Sequence, residues 1–389
     1  MTAHTIADVF RKATIPETKL PLHHRRVIND ILRCRTSAMG GIVQKCDTCD
    51  SVTHVYHSCR NRHCPQCQTG ARLAWVNDRL NEMLPVEYFH VVFTMPAQLN
   101  PFALRNKKIF YNLMFRAVKE TLMELSQDPK RLGADIGFIT VLHTWGQNLL
   151  DHPHIHCIVP GGGYNPEKKQ WKCLNGKFLF PVPVLRKLYR GKLMDFFIQA
   201  VKNQTIKLCG NLESYTSQGA VSKLVDDLYR KDWVVYVKEP FASPEALVGY
   251  LGAYTHRVAL SDKRIQSVEE NMVSFAYKDY ADDSKQKTMK ISADEFLRRF
   301  LLHVLPRGFR RIRYYGFLAP KAKPVRFKRC REAFNLRYTP KTKKEQSRSC
   351  IEIFKELLGI DLLRCPTCGK GNLITVGLIP KTSRLQMSQ

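Results

Sequence analysis

The sequence predicts a mixed α+β fold, and three observations lead to this prediction. Residues 87–95, 136–145 and 154–162 have the apolar and β-branched character of strands. Residues 101–126 carry apolar side chains at helical spacing. Residues 42–70 are rich in Cys, His and turn-forming residues, which indicates a small module organised by metal.

Further elements and boundaries follow from the same patterns. The other predicted elements are short helices over 1–35, a strand over 233–241, a helix over 243–260 and a helix opened by the capping box Ser292–Glu295. We expect four regions: a helical DNA-binding segment (1–40), a zinc module (41–80), a main domain (85–305) and a basic aromatic C-terminal region (306–389).

The chain is strongly basic, with a formal net charge of +28 over 389 residues. Because such an excess attracts polyanions, a nucleic acid is the expected partner. The hydrophobic content of 44% argues against disorder. The sequence has no apolar run long enough for a membrane span, and its polar start lacks a signal-peptide pattern. We therefore expect a cytoplasmic, nucleoid-associated protein without a membrane partner.

The basic charge is concentrated late in the chain. Residues 307–348 contain 15 Lys and Arg against 2 Glu, interleaved with aromatic residues. Clustered cations attract phosphates and aromatic rings stack on unpaired bases, so Arg310, Arg311 and Arg313 are predicted DNA contacts. A solvated charged face above buried aromatic residues is the alternative.

A histidine pair is the first candidate for chemistry. In a strand, His154 and His156 project to one side and Ile155 to the other, so the two imidazoles can hold one divalent ion. A third ligand is required, and we favour Gln147, which a hairpin brings close. His152 and His143 are rivals, and a pair of surface histidines is the alternative to a metal site.

Two tyrosines form the second candidate. Tyr250 and Tyr254 stand at i and i+4 on the predicted helix over 243–260, so both hydroxyls reach the same site. Arg257 extends that face with a charge suited to a phosphate. Viewed alone, tyrosines at this spacing are more often core residues.

The cysteines predict zinc. The pairs Cys46–Cys49 and Cys64–Cys67 are separated by 14 residues and suit a tetrahedral structural site, with Cys59 and His63 between them as possible substitutes. Arg60 and Arg62 decorate this module and are further candidate DNA contacts. Cys365 and Cys368 form half of a second site, for which Cys330 and Cys350 are candidate partners. Free thiols in a reducing cell are the alternative.

Several separated segments resemble one family. His154-Ile155-His156 matches the histidine–hydrophobe–histidine (HUH) signature of nucleases that act on single-stranded DNA. Over residues 40–320 the chain resembles the rolling-circle transposases of the insertion sequence ninety-one family. The matching segments are SCRNRHCPQCQ (58–68), HTWGQNLLDHPHIHCIVPGGG (143–163), YLGAYTHRVAL (250–260) and FLLHVLPRGFRRIRYYGFL (300–318).

This resemblance implies a fold and an activity. The fold is an antiparallel HUH-nuclease sheet with packed helices, in which the tyrosine helix crosses the histidine pair. The activity is cleavage and rejoining of single-stranded DNA at insertion-sequence ends and targets, through a 5′-phosphotyrosine intermediate and with Mg²⁺ or Mn²⁺. Host helicase and replication proteins would supply strand separation. A plasmid or phage replication initiator or relaxase, and a zinc-ribbon DNA-binding protein without chemistry, are the alternatives.

Overall fold

A computed structural model of the protein describes residues 4–174, 179–238, 241, 252, 258–280, 282–339 and 350–382. Within them the α-helices are α1 (Ile6–Lys12), α2 (Leu22–Arg33), α3 (Gln68–Leu80), α4 (Asn100–Arg105), α5 (Lys107–Gln127), α6 (Val182–Lys202), α7 (Gln218–Tyr229), α8 (Ala293–Leu302), α9 (Lys323–Glu332) and α10 (Cys350–Leu358). None of these helices is both long and apolar enough to cross a membrane.

The described strands form antiparallel sheets. They are β1 (Gly41–Cys46), β2 (Val52–Tyr56), β3 (Tyr88–Thr94), β4 (Gly137–Trp145), β5 (Asp151–Pro160), β6 (Gly162–Asn165), β7 (Gln170–Cys173), β8 (Val235–Lys238), β9 (Ile265–Glu269), β10 (Met272–Asp279), β11 (Lys285–Ser292), β12 (Ile312–Gly316) and β13 (Leu373–Ile379). The main sheet has the order β12-β4-β5-β3-β8, and the predicted α+β class with an antiparallel sheet is confirmed.

The main sheet is held by one large apolar core. From β5, Ile155, Cys157 and Val159 point into this core, as the predicted strand alternation requires. Helices α4 to α7 cover the same face of the sheet, and the fully buried Phe110 and Phe197 come from α5 and α6. The predicted helix over 101–126 is therefore two helices, α4 and α5.

A second core joins early and late parts of the chain. Val9 and Phe10 of α1 pack with Phe296 and Phe300 of α8, and the rings of Phe10 and Phe300 meet edge to face at 5.2 Å. The sheet β11-β10-β9 contributes Phe275 to this core. The N-terminal helices consequently share their packing with residues that follow the main sheet.

The predicted C-terminal region divides between two parts of the fold. Strand β12, which begins at Ile312, pairs with β4 and forms one edge of the main sheet. Strand β13 instead pairs with β1 in the sheet β13-β1-β2. The Arg-Tyr-Tyr-Gly segment over 313–316 is therefore part of a half-buried strand, as the alternative interpretation of the tail supposed.

We predict that Gly316→Ala destabilises the protein. Gly316 ends β12 with φ of +59°, and a Cβ there would overlap the carbonyl oxygen of Ile136. Alanine is strained in this left-handed conformation, and its Cβ would also displace the backbone at Ile136. Together these two effects should lower the free energy of unfolding by at least about 2 kcal/mol. Urea denaturation measures this as a lower midpoint.

Gly191→Ala is the matched control. Gly191 lies inside α6 and a Cβ there meets no atom within 4 Å. Alanine should raise the free energy of unfolding by about 0.5–1 kcal/mol, because it restricts the unfolded chain. Equal midpoints for the two variants would contradict the described packing at Gly316.

Candidate functional site

The histidine pair lies at the centre of the main sheet. Strand β5 is flanked by β4 and β3, so His154 is opposite both His143 and Thr94 in the strand register. The rings of His154 and His156 lie on the same face, with centroids 4.8 Å apart. Ile155 projects into the core on the other face. The two imidazoles therefore share one face of the sheet, as the alternation of side chains along a strand requires.

His143 completes a cluster of three imidazoles. Its ring meets those of His156 and His154 edge to face, at centroid distances of 4.5 and 5.4 Å. One ring nitrogen from each of the three residues lies within 4.8 Å of the others. His143 and His156 are buried and His154 is partly exposed, so the cluster opens to solvent on one side.

The favoured third ligand, Gln147, has another partner. Its side-chain Nε2 donates a hydrogen bond to the Tyr280 hydroxyl at 3.3 Å. His152 lies outside the three-imidazole group, although its ring centroid is 5.1 Å from that of His154. His143 fits the third position better than Gln147 because its imidazole already faces the other two.

Hydrogen bonds determine which ring nitrogens face the cluster. His154 Nδ1 lies 2.7 Å from the His152 carbonyl oxygen, which can only accept, so Nδ1 carries the proton. His156 Nδ1 lies 2.8 Å from Nε2 of His90. In both ligand candidates Nδ1 is engaged, so a metal ion would be held through Nε2.

His90 of β3 is a residue that the sequence interpretation missed. Its ring stacks parallel on that of His156 at 5.0 Å. Burial, followed by the charge of Lys238, lowers the pKa of His90 to about 4, so the ring is neutral near pH 7. A histidine inside the predicted strand over 87–95 was the available signal, since buried polar residues in strands need partners.

The segment that carries the two predicted tyrosines falls largely outside the described residues. Tyr250, Tyr254 and Arg257 lie outside the described residues. Gly252, which stands between the tyrosines, is described as helical and buried. A Cβ on Gly252 would lie 2.5 Å from Cγ2 of Val76, so this glycine allows close approach to α3.

Among the described residues the cysteines form two clusters, and the members of these clusters differ from the two predicted sets. Cys34, Cys59, Cys64 and Cys67 make the first cluster, with Sγ distances of 3.4 Å for Cys34–Cys67 and 3.5 Å for Cys59–Cys67. Hydrogen bonding with Cys59 lowers the pKa of Cys34 to about 7, and the same hydrogen bond raises the pKa of Cys59. Cys34 was missed because it lies at the end of α2, away from the paired cysteines.

The second cluster contains Cys46, Cys49, Cys365 and Cys368. The prediction that Cys46–Cys49 and Cys64–Cys67 share one site is therefore wrong, because β1 and β2 carry the two pairs apart. A zinc ion with Zn–S bonds of about 2.3 Å places its sulfurs about 3.8 Å apart. Four thiols at such spacing fit zinc in both clusters.

The remaining predicted zinc ligands lie elsewhere. His63 belongs to neither cluster, and burial followed by the charge of Arg62 lowers its pKa well below the usual value. Cys330 is fully buried beside Phe317 and Phe327 in an apolar cluster. Cys350 begins α10, and its side chain lies outside the described part of the chain.

The predicted DNA-contacting arginines divide into two kinds. Arg62 donates to the carbonyls of Leu305, Pro306 and Phe309, and Arg311 is only 8% exposed. Arg311 is therefore a packing residue, contrary to the prediction, because a phosphate cannot reach a buried guanidinium. The guanidinium of Arg62 is partly buried and is held by these three carbonyls.

The other three keep some access to solvent. Arg313 lies over the Phe115 ring at 3.9 Å and donates to Asn112. Arg60 and Arg310 are exposed. An exposed guanidinium is free to meet a phosphate, so Arg60 and Arg310 retain the predicted character of DNA contacts.

Comparisons with known proteins identify transposases as relatives of this chain. Residues 137–325 match a family model described as "Putative transposase", and residues 3–95 match a "Transposase zinc-binding domain". A Sinorhizobium fredii protein that also carries the description "Putative transposase" is 43% identical over 375 residues, covering 95% of this chain and 94% of that protein.

A second relative is the transposase for insertion sequence element IS801 of Pseudomonas savastanoi pv. phaseolicola. It is 26% identical over 354 residues, covering 90% of this chain and 83% of that protein. The matched zinc-binding domain and the two thiol clusters together support structural zinc. The chain belongs to the insertion sequence ninety-one family of transposases.

Proposed function

We propose that this transposase cuts and rejoins single-stranded DNA at insertion-sequence ends through a covalent 5′-phosphotyrosine intermediate. The observation that carries the proposal is the cluster of His143, His154 and His156 on the face of the main sheet opposite the large apolar core. Family membership supports action on the ends of a mobile element. The formal charge of +28 supports a polyanionic substrate.

The imidazole cluster would hold one divalent cation, Mn²⁺ or Mg²⁺. Three nitrogen donors on one face would leave coordination positions for water and a phosphate oxygen. Imidazole is a softer donor than carboxylate, so the donor set favours Mn²⁺ over Mg²⁺. When bound, such an ion polarises the scissile phosphate as a Lewis acid.

A tyrosine would supply the nucleophile. The hydroxyl oxygen of Tyr250 or Tyr254 forms a bond to phosphorus while the bond from phosphorus to the 3′-oxygen breaks. The tyrosine proton is lost and the departing 3′-oxygen gains one, so the products are a 5′-phosphotyrosine and a 3′-hydroxyl. Attack by another 3′-hydroxyl reverses the step and rejoins DNA without ATP.

Contacts of the described residues support a position of Tyr250 and Tyr254 close to the three imidazoles. Gly252 lies against Val76 of α3. Trp75, which precedes Val76 in this helix, packs with Ile158 of β5. Ile158 projects from the same face as His156, since the two are separated by two positions in one strand. Gly252 therefore approaches the sheet from the side that carries the imidazoles.

The proposed reaction needs unpaired DNA. The sequence contains no Walker-type nucleotide-binding loop. Strand separation would then come from host helicase and replication proteins. A replication initiator or relaxase with the same chemistry is the second candidate, but the transposase relatives favour the first.

The proposed activity predicts cleavage of single-stranded DNA that carries the end of the insertion sequence. With Mn²⁺ or Mg²⁺, the wild-type protein should cut the strand and remain attached to its 5′ side. His154→Ala/His156→Ala should slow cleavage by about 10²-fold or more, because the phosphate loses its Lewis acid. Denaturing gels measure both the nick and the covalent adduct.

Tyrosine variants test the nucleophile in the same assay. Tyr250→Phe and Tyr254→Phe together should abolish the adduct, and the single variants identify the residue that attacks first. Tyr229→Phe on α7 is the matched control and should cut normally. An adduct formed by the double variant, or undiminished cutting by the double-histidine variant, would overturn the proposal.

A separate prediction concerns His90. Because its ring nitrogen holds Nδ1 of His156, His90→Ala should weaken Mn²⁺ binding by about 10–100-fold. Titration of Mn²⁺, followed by the electron paramagnetic resonance of the free ion, measures affinity separately from cleavage. His90→Gln keeps an acceptor for His156 and should restore much of the affinity. Unchanged affinity in His90→Ala would contradict a positioning role.

A further inference from the structure

The second cysteine cluster joins segments that are far apart in sequence. Cys46 ends β1 and Cys49 follows it, whereas Cys365 and Cys368 precede β13. Sγ of Cys46 lies 3.8 Å from that of Cys368, and Sγ of Cys49 lies 3.7 Å from that of Cys365. These distances agree with the edge of about 3.8 Å expected for a tetrahedral zinc–thiolate site.

Both halves of this cluster have the local form of a metal-binding knuckle. Cys46-Asp47-Thr48-Cys49 and Cys365-Pro366-Thr367-Cys368 share the pattern Cys-x-Thr-Cys. The backbone N–H of Thr48 donates to Sγ of Cys46 at 3.4 Å, and that of Gly371 donates to Sγ of Cys368 at 3.3 Å. Such N–H···S bonds favour the thiolate form that ligates zinc.

Backbone pairing brings the two knuckles together. Six residues of β1 pair with β13, from Gly41–Ile379 to Cys46–Leu373. Beyond them, the N–H of Asp47 donates to the Asn372 carbonyl at 3.1 Å, and the N–H of Asn372 donates to the Asp47 carboxylate at 2.9 Å. A Cβ on Gly371 would lie 2.5 Å from Sγ of Cys46, so only glycine permits this approach.

Apolar burial alone is a weak explanation for this docking. On β13, Ile374, Val376 and Leu378 are exposed, and Leu378 retains 82% of its accessible surface. Cys46 and Cys365 are each only 1% exposed, whereas Cys368 is partly exposed and Cys49 is exposed. A small junction with so little apolar surface needs another source of stability, and structural zinc supplies it.

From these contacts we infer that the chain binds two zinc ions. The second ion fastens residues 361–379 to the zinc module over residues 41–80. The ligands of this second ion are Cys46, Cys49, Cys365 and Cys368. The matched zinc-binding domain ends at residue 95, so two of the four ligands lie outside it. The inference is independent of the proposed cleavage reaction, because the cluster is separate from the three imidazoles.

Zinc content of the full-length protein tests the number of ions. After dialysis with a reducing agent, mass spectrometry of the metal should give two zinc ions per chain. Cys365→Ser/Cys368→Ser should give one. Cys173→Ser/Cys209→Ser is the matched control, because these cysteines belong to neither cluster, and should keep two. One ion in the wild-type protein, or two in Cys365→Ser/Cys368→Ser, would overturn the inference.

Amide hydrogen exchange tests the fastening. In Cys365→Ser/Cys368→Ser the amides of β13 should exchange at least about tenfold faster, because β1 no longer retains them. The amides of β4 and β5 should keep their wild-type protection, which shows that the variant is folded. Wild-type protection of β13 in a variant that has lost one zinc ion would refute the fastening role.

Cobalt substitution gives a measurement on the unaltered sequence. Two equivalents of Co²⁺ should each produce the sulfur-to-metal charge-transfer absorption of a four-thiolate site. In Cys365→Ser/Cys368→Ser only one equivalent should do so. Saturation of the wild-type absorption at one equivalent would contradict a second site, whatever the folding of the variant.

Discussion

The placement of β5 between two other strands is the constraint on which the candidate site depends. Ile155, Cys157 and Val159 belong to the large apolar core, so this strand has only one register that buries them. A slip by one residue would place His154 and His156 in that core and expose the apolar side chains. The hydrophobic effect therefore fixes the imidazole face, although it contributes nothing to metal chemistry.

Fixed strands also explain the orientation of the imidazoles. Because β4 and β3 flank β5, His143 and His90 approach the histidine pair from opposite neighbours in the sheet. One contributes a nitrogen to the cluster and the other holds a ring nitrogen of His156. Ligands on strands vary less in position than ligands on loops, which suits a site that must align a phosphate.

Features that depend on neighbouring residues could be predicted from the sequence, whereas features that depend on contacts between distant segments could not. The alternation of His154, Ile155 and His156 depends on neighbouring residues alone, so it was predictable. The roles of His143 and Cys34, and the pairing of Cys46 with Cys368, depend on register and tertiary packing, to which a single sequence gives no direct access. Similarly, composition identified the arginines but not the burial of Arg311.

The pairing of β1 with β13 has a consequence for synthesis of the protein. Strand β1 ends at Cys46 and β13 begins at Leu373, so a ribosome adding about 5–20 residues per second reaches the partner strand on the order of 20 seconds to a minute later. During that interval one edge of β1 is unpaired, and Cys365 and Cys368, which complete the second cysteine cluster, have not yet been synthesised. The nascent chain must therefore protect this edge from aggregation before its own sheet can be completed.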